Sequence, residues 1–155
     1  MAATYNNLYL DARKRLREAG VEGAQLEARE LVCCAAGKSR EQFYRDMALY
    51  ASDPVEEKLA ELLERRLAGE PVAYLIGEWE FYGLGLDITP DVLIPRMDTE
   101  VLAERAILLA RAAGEGARVL DLCAGSGCVG LAVAANVPGC RVVLADVSEA
   151  ALRLC

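Results

Sequence analysis

The stretch that most constrains the fold is Arg118-Val-Leu-Asp-Leu-Cys-Ala-Gly-Ser-Gly-Cys-Val-Gly-Leu-Ala-Val-Ala134. It reads as a buried strand, a glycine-rich turn and the opening of a helix. A second apolar run, Arg141-Val-Val-Leu-Ala145, follows and ends on Asp146. Strand, glycine turn, helix, strand, acid is the start of a Rossmann-type fold built to hold an adenosine-containing ligand.

Gly125-Ser-Gly127-Cys-Val-Gly130 satisfies G-x-G-x-x-G, so a nicotinamide or flavin enzyme has to be weighed. The glycines let the backbone turn tightly and approach a ligand where a side chain would clash. Asp146 lies 21 residues beyond Gly125, at the tip of the next strand, where a carboxylate can accept from both hydroxyls of a ribose. Asp121 discriminates between ligands. It stands four residues before Gly125, close to the loop. A dinucleotide would put its pyrophosphate at this helix N-terminus, where a neighbouring carboxylate repels it. S-adenosylmethionine has no phosphate and brings a sulfonium and an ammonium, which an acid favours. Asp-x-x-x-Gly-x-Gly with a second-strand acid is the pattern of class I methyltransferases. The bland readings are a cap or a loop brace for Asp121, and a cap on the helix starting at Ser148-Glu149 for Asp146.

Other chemistries are narrowed by composition. The net charge of -7 argues against a general affinity for nucleic acid. Residues 1–72 carry 11 basic and 13 acidic side chains, residues 73–155 carry 6 and 11, so neither half has a basic block. There is no histidine, which removes Ser-His and Cys-His nucleophile schemes and mixed zinc sites. None of the six cysteines forms a C-x-x-C pair, and all are expected to be small, reduced core residues. No run approaches the roughly 18 apolar residues of a membrane span, and no apolar signal core opens the chain. The expected setting is cytoplasmic.

Taken in order, residues 4–19 place Tyr5, Leu8, Tyr9, Ala12 and Leu16 on one helical face, with Gly20 as a stop. A second helix is expected over 24–36, with Ala28, Leu31, Val32 and Ala35 inward, ending at Gly37. Ser39-Arg-Glu-Gln42 has capping-box spacing for a short third helix carrying Phe43 and Met47. Asp53-Pro54 is expected to cap a fourth, with the stripe Val55, Leu59, Leu62, Leu63 and Leu67 up to Gly69. These form a small helical bundle. The pattern changes near residues 69–73. Trp79–Tyr82 and Leu84–Ile88 read as a hairpin around Gly83 and Gly85, and Val92–Ile94 as extended. A helix carrying Val101, Leu102, Arg105, Leu108, Leu109 and Ala112 precedes the long strand.

The succession Pro71-Val-Ala-Tyr-Leu-Ile-Gly77, Glu80-Phe-Tyr, Leu93-Ile-Pro-Arg-Met-Asp-Thr-Glu100 and Val119-Leu-Asp-Leu-Cys-Ala-Gly-Ser-Gly127 resembles the peptide chain release factor glutamine methyltransferases, the HemK/PrmC family. The resemblance implies an α + α/β chain. A helical substrate-recognition domain would cover 1–72 and a β-hairpin linker 73–95. Residues 96–155 would be the start of a Rossmann-like class I methyltransferase domain, truncated. It implies transfer of a methyl group from S-adenosylmethionine to the glutamine amide nitrogen in the Gly-Gly-Gln loop of class I release factors, with no direct nucleic acid and no membrane. Asp121, Cys123, Ala124, Gly125, Ser126, Gly127 and Asp146 would bind the cofactor. Pro95, Arg96, Thr99 and Glu100 would border the substrate pocket, and no metal is called for.

There are three departures. Met97 stands where the family usually has a second proline, and Cys123 where it usually has a glycine. The family's Asn-Pro-Pro-Tyr, which orients the amide by hydrogen bonds, does not occur in these 155 residues. The catalytic groups are therefore expected outside this chain, which would be a fragment, inactive alone. Its two strands would leave Leu120, Leu122, Val142, Val143 and Leu144 short of neighbours on one side. The competing functions are a nicotinamide-dependent oxidoreductase, a helical module that binds release factors without catalysis, and a methyltransferase of another amide or amine.

Overall fold

The computed structural model describes residues 3–155, so the first two residues of the expected 1–72 region lie outside it. The chain divides into two compact units, Met1–Ile76 and Gly77–Cys155.

The first unit is helical: α1 Tyr5–Glu18, α2 Ala24–Ala36, α3 Arg40–Asp46, α4 Asp53–Leu67 and α5 Val72–Ile76. Thr4 caps α1 by accepting from the Asn7 N–H at 3.2 Å. Ser39 and Gln42 form the expected capping box at the start of α3. Gly37 ends α2 in the left-handed conformation, φ +59°. The core is Ala12 and Leu16 of α1, Ala28, Leu31 and Val32 of α2, Phe43 of α3, and Leu59, Leu62 and Leu63 of α4. Each of the large apolar side chains contributes about 2 kcal/mol on burial. Three details differ from the sequence reading. Ala35 is only half-buried and Cys33 takes the inward position. Leu67 lies at the exposed end of its stripe. Ser52, not Asp53, is the N-cap residue of α4, with Pro54 in the first turn.

The second unit opens with an antiparallel hairpin, β1 Glu78–Phe81 and β2 Leu84–Asp87. Its turn residues Tyr82 and Gly83 have φ of +50° and +75°, both positive as a type I′ turn requires. Helix α6, Thr99–Ala112, leads to β3 Arg118–Leu122, α7 Cys128–Asn136, β4 Arg141–Ala145 and the short α8, Glu149–Leu154. Strands β3 and β4 are parallel, in register from Arg118 opposite Arg141 to Leu122 opposite Ala145. A parallel pair needs a crossover, and α7 supplies it.

One face of this pair is covered. Val119 and Val142 pack on the cluster of Ile107, Ala110, Val133 and Val137, contributed by α6, α7 and the turn after α7. Leu144 points the same way, against Gly130. Val142 and Leu144 therefore have the neighbours that the sequence reading denied them. The other face, Leu120, Leu122 and Val143, is exposed. Helix α6 turns one side inward, which its sequence does not single out. Ala103, Ile107 and Ala110 are buried, whereas Val101, Leu102, Leu108 and Leu109 are exposed. The alanines let α6 and α7 approach closely around Ile107, and the other large side chains are left outside. Among the described residues, no helix is long and apolar enough to cross a membrane.

Candidate cofactor loop

The loop between β3 and α7 is built by hydrogen bonds that the sequence forces into short range. Gly127 donates to the Ala124 carbonyl at 2.8 Å, closing a turn, and caps α7 with φ +71°. Its own carbonyl accepts from the Leu131 N–H at 2.8 Å, the first rung of the helix. Ala124 donates to the Ala145 carbonyl at 3.1 Å, which ties the loop to the tip of β4. Ser126 is buried, and its hydroxyl pairs with the Cys128 thiol, whose pKa burial pushes up.

The three glycines do different things. Gly125 has φ +55° and open space where a Cβ would stand. At Gly127 a Cβ would lie 2.9 Å from the Cys155 Sγ and 3.1 Å from Leu144. At Gly130 a Cβ would overlap the Leu144 side chain, so this glycine serves the contact of α7 with the sheet. The remaining loop residue, Cys123, also has positive φ, +61°. That region is unfavourable for any residue with a Cβ, and it falls where the resembled family has glycine.

Asp146 braces this loop, and Asp121 braces the first turn of α7. Asp146 accepts from the Gly125 N–H with Oδ2 at 2.8 Å and from the Ser148 N–H with Oδ1 at 2.9 Å. The bonds from Ser148 and Gly125 hold its carboxyl below the usual range. Asp121 Oδ2 accepts from the Gly130 N–H at 2.8 Å. The cap on α8 is made by Ser148, whose hydroxyl accepts from the Ala151 N–H at 3.2 Å. The charge at the loop is felt by its neighbours. Burial raises the pKa of the Cys155 thiol, and Asp121 and Asp146 push the same way.

This donor set can be tested against the ligand classes. A negative field over a loop with open space at Gly125 suits a group carrying a sulfonium and an ammonium. It opposes a pyrophosphate. The residues fit S-adenosylmethionine in that sense.

The second group of expected site residues, Pro95, Arg96, Thr99 and Glu100, lies on the segment entering α6. Thr99 and Glu100 donate to the carbonyls of Arg96 and Met97 at 3.0 and 3.1 Å, so this segment is a tight turn. Among the described residues no hydrogen bond or ion pair joins it to the glycine loop. The Glu100 carboxylate instead accepts from the Tyr82 N–H at 3.0 Å. Sequence reasoning missed this bond, because nothing local marks a contact across 18 residues. It also missed α5, although Pro71 before it and Gly77 after it (φ +76°) are the usual brackets of a helix. All six cysteines are free, but Cys123 and Cys155 are exposed, which corrects the expectation that all six lie in the core.

Comparison with known proteins bears on the same two regions. Residues 7–77 match the family model of the PrmC N-terminal domain, and residues 95–154 match a model described as lysine methyltransferase. A protein of Bordetella pertussis is 46% identical over 134 residues, 83% of this chain and 47% of its own. One of Coxiella burnetii is 40% identical over 130 residues, 84% and 47%. One of Vibrio cholerae is 36% identical over 154 residues, 99% and 53%. All three are named release factor glutamine methyltransferase. The chain spans about half the length of the curated relatives it matches. Over that half, it belongs to the family of the release factor glutamine methyltransferases.

Proposed function

We propose that this chain provides the cofactor loop and the helical recognition part of a cytoplasmic, S-adenosylmethionine-dependent protein methyltransferase. Its substrate would be the glutamine side-chain amide in the Gly-Gly-Gln loop of class I peptide chain release factors. The observation that carries the reading is the pair of carboxylates at the glycine loop, Asp146 fastened to the loop and Asp121 to the first turn of the helix after it. The names of the relatives support the substrate.

In this reading the chain's own residues bind and orient. Asp146 accepts from the ribose hydroxyls, and Asp121 favours the cationic end of the ligand. The backbone of Cys123, Ala124, Gly125, Ser126 and Gly127 approaches the methionine portion. S-adenosylmethionine, when bound, supplies an electrophilic methyl group on sulfonium. Pro95, Arg96, Thr99 and Glu100 border the place where the amide is presented, and the helical unit at 1–72 holds the protein partner. An amide nitrogen is a poor nucleophile, so orientation carries much of the rate.

Thermal unfolding in the presence of ligand tests the cofactor assignment. A ligand at a hundred times its Kd adds about 2.7 kcal/mol to the folded state. S-adenosylhomocysteine should therefore raise the Tm of the chain by several degrees, and NADH should not. Stabilisation by NADH and not by S-adenosylhomocysteine would return the loop to the oxidoreductase reading. No shift with either at millimolar concentration would remove the cofactor role from this chain.

A further inference from the structure

The turn of the hairpin poses a problem that one side chain solves. In a two-residue turn between the paired residues Phe81 and Leu84, the Tyr82 N–H has no partner on the opposite strand. Tyr82 is also a bulky residue at φ +50°, a conformation it adopts only when its surroundings over-determine it. Two contacts do so. Its side chain packs against the cluster of Ile107, Ala110, Val133 and Val137. Its N–H is taken by Glu100 Oε1 at 3.0 Å, in a half-buried setting. An ionised acceptor makes this one of the stronger kinds of hydrogen bond.

We propose that Glu100 is a positioning residue, whose carboxylate locks the hairpin turn onto the first turn of α6. The lock has two consequences. The segment Pro95–Thr99 ends on Glu100, so it is held in place with the hairpin. The Tyr82 side chain packs against the cluster that joins Ile107 and Ala110 of α6 to Val133 of α7, the helix whose first residue, Cys128, follows the glycine loop. The hairpin, the pocket border and the glycine-loop helix are thereby one braced body. The effect on ligand binding rests on the cofactor reading above. The lock itself does not.

The test uses the full chain with Glu100→Gln, which keeps an acceptor oxygen, and Glu100→Ala, which removes it. Amide hydrogen exchange at Tyr82 is recorded first without ligand. Glu100→Ala should exchange at least about tenfold faster than the parent, and Glu100→Gln within about threefold of it. Calorimetric titration with S-adenosylhomocysteine should show weaker binding for Glu100→Ala, by about threefold or more, with affinity restored in Glu100→Gln. Equal Tyr82 exchange in all three proteins overturns the lock. Unequal exchange with equal ligand affinity overturns its positioning role. A parent that binds no S-adenosylhomocysteine overturns that role together with the cofactor reading, and the ligand-free exchange shows separately whether the lock stands.

Discussion

Replacing Gly130 by alanine sets two physical effects against each other, and their magnitudes decide the sign. Helix propensity alone makes Gly130→Ala stabilising by about 1 kcal/mol, since the residue lies inside α7. Packing opposes it. The new Cβ would overlap Leu144 and stand 3.0 Å from Asp121 Oδ2 and 3.2 Å from Asp121 Cβ. Forcing a methyl group into such a contact costs about 1–3 kcal/mol. Moving α7 away to accommodate it weakens the charge-assisted Gly130–Asp121 bond, worth about 1.5–3 kcal/mol. The expected net effect is a loss of about 2 kcal/mol, or on the order of 10 °C in Tm for a unit of this size. Urea unfolding followed by the fluorescence of Trp79, the single tryptophan, reads the second unit directly. The double variant Gly130→Ala, Leu144→Ala should lose less than the sum of the two single losses, because the clashing partner is gone. A Gly130→Ala protein as stable as the parent, or additive losses, would refute the packing argument.

Cys123→Gly should stabilise the second unit by about 0.5 kcal/mol, because release from φ +61° outweighs the added chain entropy; a lower urea midpoint would contradict this. Asp146 has a depressed folded-state pKa, so its contribution is complete above the ordinary aspartate value and is lost as pH falls through the folded value. Asp146→Asn should therefore flatten the fall in stability of the second unit below about pH 4. Asp46 is a parallel case in the first unit, held at about 2 by hydrogen bonds from Arg45 and then Lys38. Ser39→Ala removes the capping box of α3 and should cost the first unit about 1 kcal/mol in chemical unfolding.

The parts of this fold legible in the sequence are those set by local chemistry. Helix α2 ends where Gly37 can turn left-handed, and α3 begins where Ser39 and Gln42 exchange hydrogen bonds. The glycine loop lies between two apolar runs whose lengths fit strands. What was not legible depends on partners distant in sequence. The sequence shows Val101, Leu102, Leu108 and Leu109 on the sides of α6 without fixing which side faces inward. The packing selects Ala103, Ile107 and Ala110, and the two alanines leave room for α7 to come close around Ile107. Spacing brings Asp121 and Asp146 to the strand tips. It says nothing of the backbone N–H groups that each one takes.

That last point bears on how one carboxylate can serve both the fold and a ligand. An ionised aspartate has about four acceptor positions. Asp146 uses one on each oxygen, for the N–H groups of Gly125 and Ser148. The Val147 N–H adds a weaker pull, and acceptor capacity remains for ribose hydroxyls. The bonds already made fix the carboxylate plane against the loop, so a ligand would meet an acceptor pair that needs no ordering on binding. They also make the group ionised across the neutral range, since both bonds favour the charged form. Loss of the Asp146 carboxylate should therefore weaken the loop and the ligand together. Loss of a group that served only as a cap would leave S-adenosylhomocysteine affinity where it was, and calorimetry on Asp146→Asn separates the two.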